Sequence, residues 1–124
     1  MNLPSLSADD IRKAAKREDL IRETAGQIIK DFSEFDLEIH FSGNIRDFYN
    51  ELFGQMQNHV NNLLAMNGEK FFNLLYRIDV DPEDINRYQQ QMPGVSLPDV
   101  ITELIIHREL KKVMIRDYFR RSSQ

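Results

Sequence analysis

The sequence contains no cysteine, and this absence removes several kinds of chemistry at once. Without a thiol the chain can form no disulfide, no thiolate zinc site and no iron–sulfur cluster, and it has no cysteine nucleophile. Tryptophan is absent as well, and the few glycines are scattered, so no glycine-rich loop for a phosphate group is present. The composition therefore excludes many activities before any motif is considered.

Long hydrophobic runs are also lacking. No stretch approaches the ~18–20 uninterrupted apolar residues that a transmembrane helix needs. The first residues lack the apolar segment of a secretory signal, and acids lie beside the bases that a transit peptide would require. We therefore expect a cytoplasmic protein that does not associate with membranes.

The 124 residues are enough for one domain with a hydrophobic core. Hydrophobic residues make up 41% of the chain and charged residues 29%, a balance typical of a globular protein. The net charge of −4 is unevenly distributed, because residues 31–106 are strongly acidic and residues 107–124 are basic. This distribution disfavours broad binding to nucleic acid or anionic membranes, and it leaves one local basic patch.

Hydrophobic periodicity predicts an all-α fold, an irregular bundle of four to five helices in a single domain over residues 8–121. Apolar residues at three- and four-residue steps predict a first helix over 8–35, with Ser7 as its N-cap. Further helices are predicted over residues 45–66, 69–79, 82–91 and 98–120. Residues 1–7 and 122–124 are expected to be a flexible N-terminus and a frayed tail.

Residues 36–43 have a different period from the helices. Leu37, Ile39 and Phe41 alternate with polar residues, a pattern typical of a strand. Because no second strand candidate is available to pair with this segment, we predict a short extended connector that packs its three apolar side chains on one side.

Two segments, FFNLLYRIDVDPEDI (residues 71–85) and ELIIHRELKKVMIRDYF (residues 103–119), resemble a family of small helical proteins from Bacteroidetes-type bacteria. The family has no assigned activity. The resemblance implies a discrete, soluble bacterial domain, and it transfers no site residue to this chain.

The last predicted helix is apolar on two nearly opposite sides. Such a helix is either central to the fold or shared between the core and a partner. Arg108 falls among the apolar residues of one side, where a guanidinium needs a carboxylate or backbone carbonyls. It is therefore either an anion-binding residue or part of a structural ion pair, for example with Glu103, Glu109 or an acid of another helix. Arg77 presents the same alternatives.

Glu103 and His107 are four residues apart, so both can lie on one side of the last helix. A carboxylate and an imidazole at this spacing could share a metal, but zinc or iron needs three or four ligands, and His40 and His59 stand alone. We therefore predict a surface pair, with no metal and no cofactor. Glu103, His107 and Arg108 remain the candidates for a polar ligand site between helices.

Residues 52–68 contain no charged side chain. Because charged residues are depleted and methionine is enriched at interface cores, the second helix is predicted to meet a partner or a second copy. The alternative is a solvated amide side that happens to lack charge. Leu64 and Phe72 are assigned to the apolar sides of the second and third helices. The interface candidates are the amides on the other side of the second helix, Gln55, Gln57, Asn58, Asn61 and Asn62.

Three functional hypotheses follow. The favoured one is a non-catalytic helical protein that acts through protein–protein interaction and forms a homodimer. The alternative is a domain that binds a small ligand or a metal at a polar site within the bundle. Nucleic-acid binding through the basic C-terminal helix is weaker, because we do not expect its bases to share one side of the helix. Residues 79–90 lack the glycine and glutamate of a calcium loop, and no catalytic signature is found, so we do not expect an enzyme.

Overall fold

A computed structural model describes residue 13 and residues 16–122. The helices are α1 (Glu18–Ser33), α2 (Phe48–Met66), α3 (Gly68–Ile78), α4 (Pro82–Gln91) and α5 (Leu97–Ser122), with a 3-10 turn at Ile45–Asp47. The all-α prediction is confirmed, since these residues include no strand. None of the described helices is both long and apolar enough to cross a membrane.

The helix predicted over residues 8–35 is not continuous, because a turn interrupts it at Lys16 and Arg17. Arg17 has extended backbone angles (φ −93°, ψ 113°), and α1 begins at Glu18. Four consecutive charged residues, 16–19, interrupt the apolar period, and Glu18 and Asp19 suit the positive end of a helix dipole. The predicted N-cap Ser7 and the predicted flexible residues 1–7 lie outside the described residues.

The chain turns back towards the core in a similar way after α1 and after α3, without glycine. Asp36 (φ 59°) and Asp79 (φ 69°) adopt the left-handed conformation, which aspartate tolerates better than most residues. In each case the next backbone N–H donates to a carbonyl five residues earlier, from Leu37 at 3.1 Å and from Val80 at 3.0 Å. Leu37 and Val80 are buried, so each turn directs the chain back onto the core.

Residues 36–43 form the predicted extended connector, and α2 holds it in place. The Gln55 side chain accepts a hydrogen bond from the His40 backbone N–H and donates one to the His40 carbonyl, both at 2.8 Å. His59 Nε2 lies 2.8 Å from the carbonyl oxygen of Glu38. The side chains of α2 thus satisfy the backbone groups of a segment that has no neighbouring strand.

The last helix is central to the bundle, as its two apolar sides predict. It packs against each of the other four helices and runs antiparallel to α1. Residues on both of its sides are buried, including Val100, Ile101, Leu104, Ile106, Leu110 and Val113. A helix buried on both sides must also bury some of its polar residues, and those residues form a distinct cluster.

The Gln55 contacts lead to a stability prediction. We expect Gln55→Ala to lower the free energy of unfolding by about 1–2 kcal/mol, because it leaves the backbone N–H and carbonyl of His40 without partners. Gln57→Ala is the matched control, since it has the same change in helix propensity and no such contacts. Urea unfolding measures both variants, and equal stabilities would contradict the assigned role of Gln55.

Candidate functional site

Arg108 pairs with the end of α3. Its guanidinium donates to the Asp79 carboxylate at 2.7 Å and to the Asp79 carbonyl at 3.1 Å. The side chain is about one quarter exposed, so it lies at the margin of the core. The sequence left two alternatives for Arg108, anion binding or a structural ion pair. This geometry is that of a structural ion pair, and the partner is an acid outside α5.

Glu103 and His107 form a hydrogen-bonded pair at 3.0 Å, and a third residue joins them. The hydroxyl of Tyr49 on α2 donates to the other carboxylate oxygen of Glu103. Hydrogen bonding from His107 lowers the pKa of Glu103, while burial and the bond to Glu103 raise the pKa of Tyr49. Sequence analysis missed Tyr49, because its partner is distant in the chain. The trio connects α2 to α5, whereas Arg108 bonds to α3.

Glu103 and His107 therefore bond to each other and Arg108 bonds elsewhere, so the three predicted ligand candidates do not converge on one polar site. No group of three or more histidine, aspartate and glutamate side chains in the described part of the chain is arranged to hold a metal ion.

The polar cluster of the core was not predicted from the sequence, although Glu109 was considered there as a partner for Arg108. Asp31 of α1 and Glu109 of α5 are almost fully buried, with exposures of 1% and 0%. The Lys112 ammonium lies 2.6 Å from Glu109 Oε1 and 3.5 Å from Asp31 Oδ2. Gln27 donates to Asp31 Oδ1 at 3.0 Å, and Arg77 approaches the same oxygen at 3.3 Å.

Two buried carboxyl groups side by side cannot both be charged cheaply. Burial and the hydrogen bond with Asp31 raise the pKa of Glu109 to about 8, against the opposing effect of Lys112. Burial also disfavours the charged form of Asp31, but hydrogen bonds from Glu109 and Gln27 and the charge of Lys112 outweigh it and lower the pKa of Asp31. The raised pKa of Glu109 favours its neutral form, and in that form it can donate a proton to Asp31.

This shared proton explains oxygens that otherwise lack partners. Asp31 Oδ2 and both carboxylate oxygens of Glu109 are buried without a well-aligned hydrogen bond, although the Lys112 ammonium is close to two of them. A proton between the carboxyl groups supplies the missing bond. Neither carboxyl group reaches the surface, so the pair forms part of the packing between α1 and α5.

The predicted amide interface of α2 divides into two parts. Gln55 binds the connector and is not available to a partner. Gln57 is half-buried, and the other three amides are exposed to solvent, Asn58, Asn61 and Asn62. Of these, Asn58 and Asn61 lie on the side of α2 that faces away from its buried residues.

Exposed apolar side chains also occur on α3. Phe72 is 61% exposed and Tyr76 is 89% exposed, and the two are one turn apart on the same side of α3. The expected place of Leu64 and Phe72 on apolar, core-facing sides is wrong, since Leu64 is 36% exposed. We define the α2–α3 surface as the exposed residues Asn58, Asn61, Ala65, Met66, Phe72 and Tyr76.

The basic residues of α5 also differ from expectation. Arg108, Lys112 and Arg116 line one surface cavity together with Gln27. Steps of four residues advance a helix by only 40°, so these bases form one row on the side next to α1. The expectation that the C-terminal bases do not share a side is therefore wrong for this row.

Comparison with known proteins found no matching family model, and no curated protein or solved structure with significant similarity. The resemblance to small bacterial helical proteins stays a prediction. The function must accordingly be argued from the residues themselves.

The shared proton predicts an unusual pH dependence. The pKa of Glu109 rises from 4.5 in the unfolded chain to about 8 in the folded one, so the folded state holds a proton that the unfolded state releases. This stabilisation is complete below the unfolded pKa and is lost as the pH rises through the folded pKa. We expect the free energy of unfolding to fall by roughly 2–4 kcal/mol between pH 5 and pH 8, measured by urea unfolding.

Glu109→Gln is the decisive variant, because its amide stays neutral and can still donate to Asp31. We expect its stability to be nearly constant across this pH range and to exceed that of the parent protein at pH 8. Glu69→Gln, which changes an exposed carboxylate, serves as the control and should follow the parent curve. Parallel curves for the parent and Glu109→Gln would rule out the shared proton.

Proposed function

We propose that this is a non-catalytic interaction protein whose α2–α3 surface binds the same surface of a second copy. The exposure of Tyr76 and Phe72 is the observation that carries the proposal. A cytoplasmic location, as expected from the sequence, is part of the proposal.

The residue types of the surface support an interface. Single exposed apolar residues are common on soluble proteins. Aromatic residues and methionine, however, are enriched at interfaces and often contribute most of the binding energy. Here Met66 is 86% exposed at the end of α2, and one residue later the chain enters the helix that carries Phe72 and Tyr76. Most of the solvent-accessible area of these three side chains is therefore available for burial by a partner.

The charge pattern favours a second copy as the partner. In a symmetric dimer the same patch meets itself, so a patch of one charge sign would repel its own copy. Residues 52–68 carry no charge, and their side-chain amides both donate and accept hydrogen bonds. The uncharged, amide-bearing side of α2 can therefore meet its own copy without charge repulsion.

The predicted ligand site has less support than the interface. Arg108, Glu103 and His107 are each satisfied by a protein partner, and their partners lie on different elements. No observation favours a small ligand at these three residues.

Phe72 and Tyr76 are the aromatic pair of the α2–α3 surface, and a charge placed at Tyr76 tests the proposal. We expect Tyr76→Glu to raise the dimer dissociation constant by about tenfold or more, because symmetry brings two new carboxylates into one apolar contact. Sedimentation velocity over a range of concentrations measures the shift from twice the 14.7 kDa chain mass to the single mass. Because Tyr76 is 89% exposed, the variant should unfold at the same urea concentration as the parent protein.

Tyr118→Glu is the matched control, since Tyr118 is 49% exposed on α5 and lies outside the α2–α3 surface. It should leave the dissociation constant unchanged. Added salt should strengthen the dimer slightly, because it screens the repulsion between two chains of net charge −4. A parent protein that sediments as a monomer at every concentration, or an equal effect of both substitutions, would overturn the proposal.

A further inference from the structure

A groove runs along the side of α5 next to α1. It consists of two adjoining surface cavities of about 320 Å³ and about 520 Å³, which share Ile115 and Arg116. Gln27 and Lys112 line the first cavity, and Phe119 lines the second. Neither cavity includes a residue of the α2–α3 surface, so the groove is a separate feature of the molecule.

The groove combines a basic row with an apolar floor. The row consists of Arg108, Lys112, Arg116 and Arg120 at four-residue steps, and it spans ~18 Å along the helix. Ile115 and Phe119 follow one side of the row at the same four-residue spacing. The lining of both cavities is mostly carbon, since the stems of the cationic side chains add to these apolar residues.

The bases of the row already have partners within the chain, and the pairs at its C-terminal end are exposed to solvent. Arg120 donates to Glu23 at 2.9 Å. Arg116 is about half exposed, donates to the neutral amide of Gln27 at 2.9 Å, and has its nearest carboxylate, Glu23, at 3.8 Å. Solvent-exposed ion pairs of this kind contribute little to stability. An incoming carboxylate can therefore replace or join Glu23 at small cost.

We propose that this groove binds an amphipathic helix of a partner protein that carries acidic residues at four-residue steps with apolar residues between them. The acids would match the spacing of the basic row, and the apolar side chains would pack on Ile115 and Phe119. An apolar floor gives no advantage to a phosphate backbone, because phosphates gain nothing from contact with Ile115 and Phe119. The charge and the lining of the groove together favour an acidic helix over nucleic acid.

The test uses the full chain and a synthetic probe. The probe is a fluorescein-labelled peptide of ~18 residues with glutamate at every fourth position and leucine among the residues that separate the glutamates. Binding is followed by fluorescence anisotropy. We expect saturable binding that weakens as salt is added, whereas the same peptide with lysine in place of glutamate should not bind. Saturable binding of the lysine peptide would overturn the proposal.

Matched variants locate the site. Arg116→Gln should weaken binding by about fivefold, because it removes the most exposed charge of the first cavity. Lys111→Gln makes the same change in charge on another side of α5 and should change binding by less than about twofold. Ile115→Ser should weaken binding of the peptide without changing the charge of the groove. Thermal unfolding verifies that each variant is folded.

Three further outcomes would overturn the inference: no saturable binding of the acidic peptide at low salt, equal losses for Arg116→Gln and Lys111→Gln, or tighter binding of a labelled single-stranded RNA than of the peptide. Self-association through the α2–α3 surface is a separate question. Tyr76→Glu should leave peptide binding unchanged, and Arg116→Gln should leave the dimer unchanged, so failure of one proposal is distinguishable from failure of the other.

Discussion

The proton shared by Asp31 and Glu109 is the interaction on which the arrangement of the helices depends most. The last helix is buried on both sides, and Glu109 has no exposed surface at all. A charged glutamate in that position would need compensation that Lys112 alone provides only in part, because Lys112 also faces Asp31. Keeping the proton lets α1 and α5 pack closely at this point, with Gln27 and Arg77 completing the set of polar contacts.

The same cluster connects the core to the surface groove. Gln27 donates to Asp31 inside the protein and accepts from Arg116 in the groove. Lys112 contacts the buried carboxyl groups and also lines the first cavity. A partner that draws either side chain outward would therefore change the surroundings of Asp31 and Glu109. The aromatic pair of α3 has no such connection, since it lies on the exposed side of that helix.

Much of the fold follows from the sequence because periodicity reports which side of a helix is buried. The bounds of α4, the extended connector and the central place of α5 were all predicted correctly. The break at residues 16 and 17 was missed, because apolar residues recur at helical spacing on both sides of it. The two left-handed aspartates, Asp36 and Asp79, were missed because no glycine marks them, and only the backbone angles reveal the turns.

The candidate sites were harder to predict, because they depend on contacts between distant parts of the chain. Arg108 was recognised as a charge in need of a partner, but Asp79 could not be chosen over the other acids. Phe72 was placed in the core because a hydrophobic residue at helical spacing looks the same whether it is buried or exposed. Phe72 is exposed because of the way α3 is rotated about its axis against the bundle. This rotation cannot be predicted from the local sequence pattern.

The central functional claim is that the aromatic pair of the α2–α3 surface becomes buried between two copies. Fluorine NMR on protein containing 3-fluorotyrosine tests this claim directly, with the Tyr76 signal, one of four, assigned by Tyr76→Phe. The account predicts that the Tyr76 signal shifts and broadens as the protein concentration rises, while the Tyr118 signal stays in place. A Tyr76 signal that is independent of concentration would contradict the account.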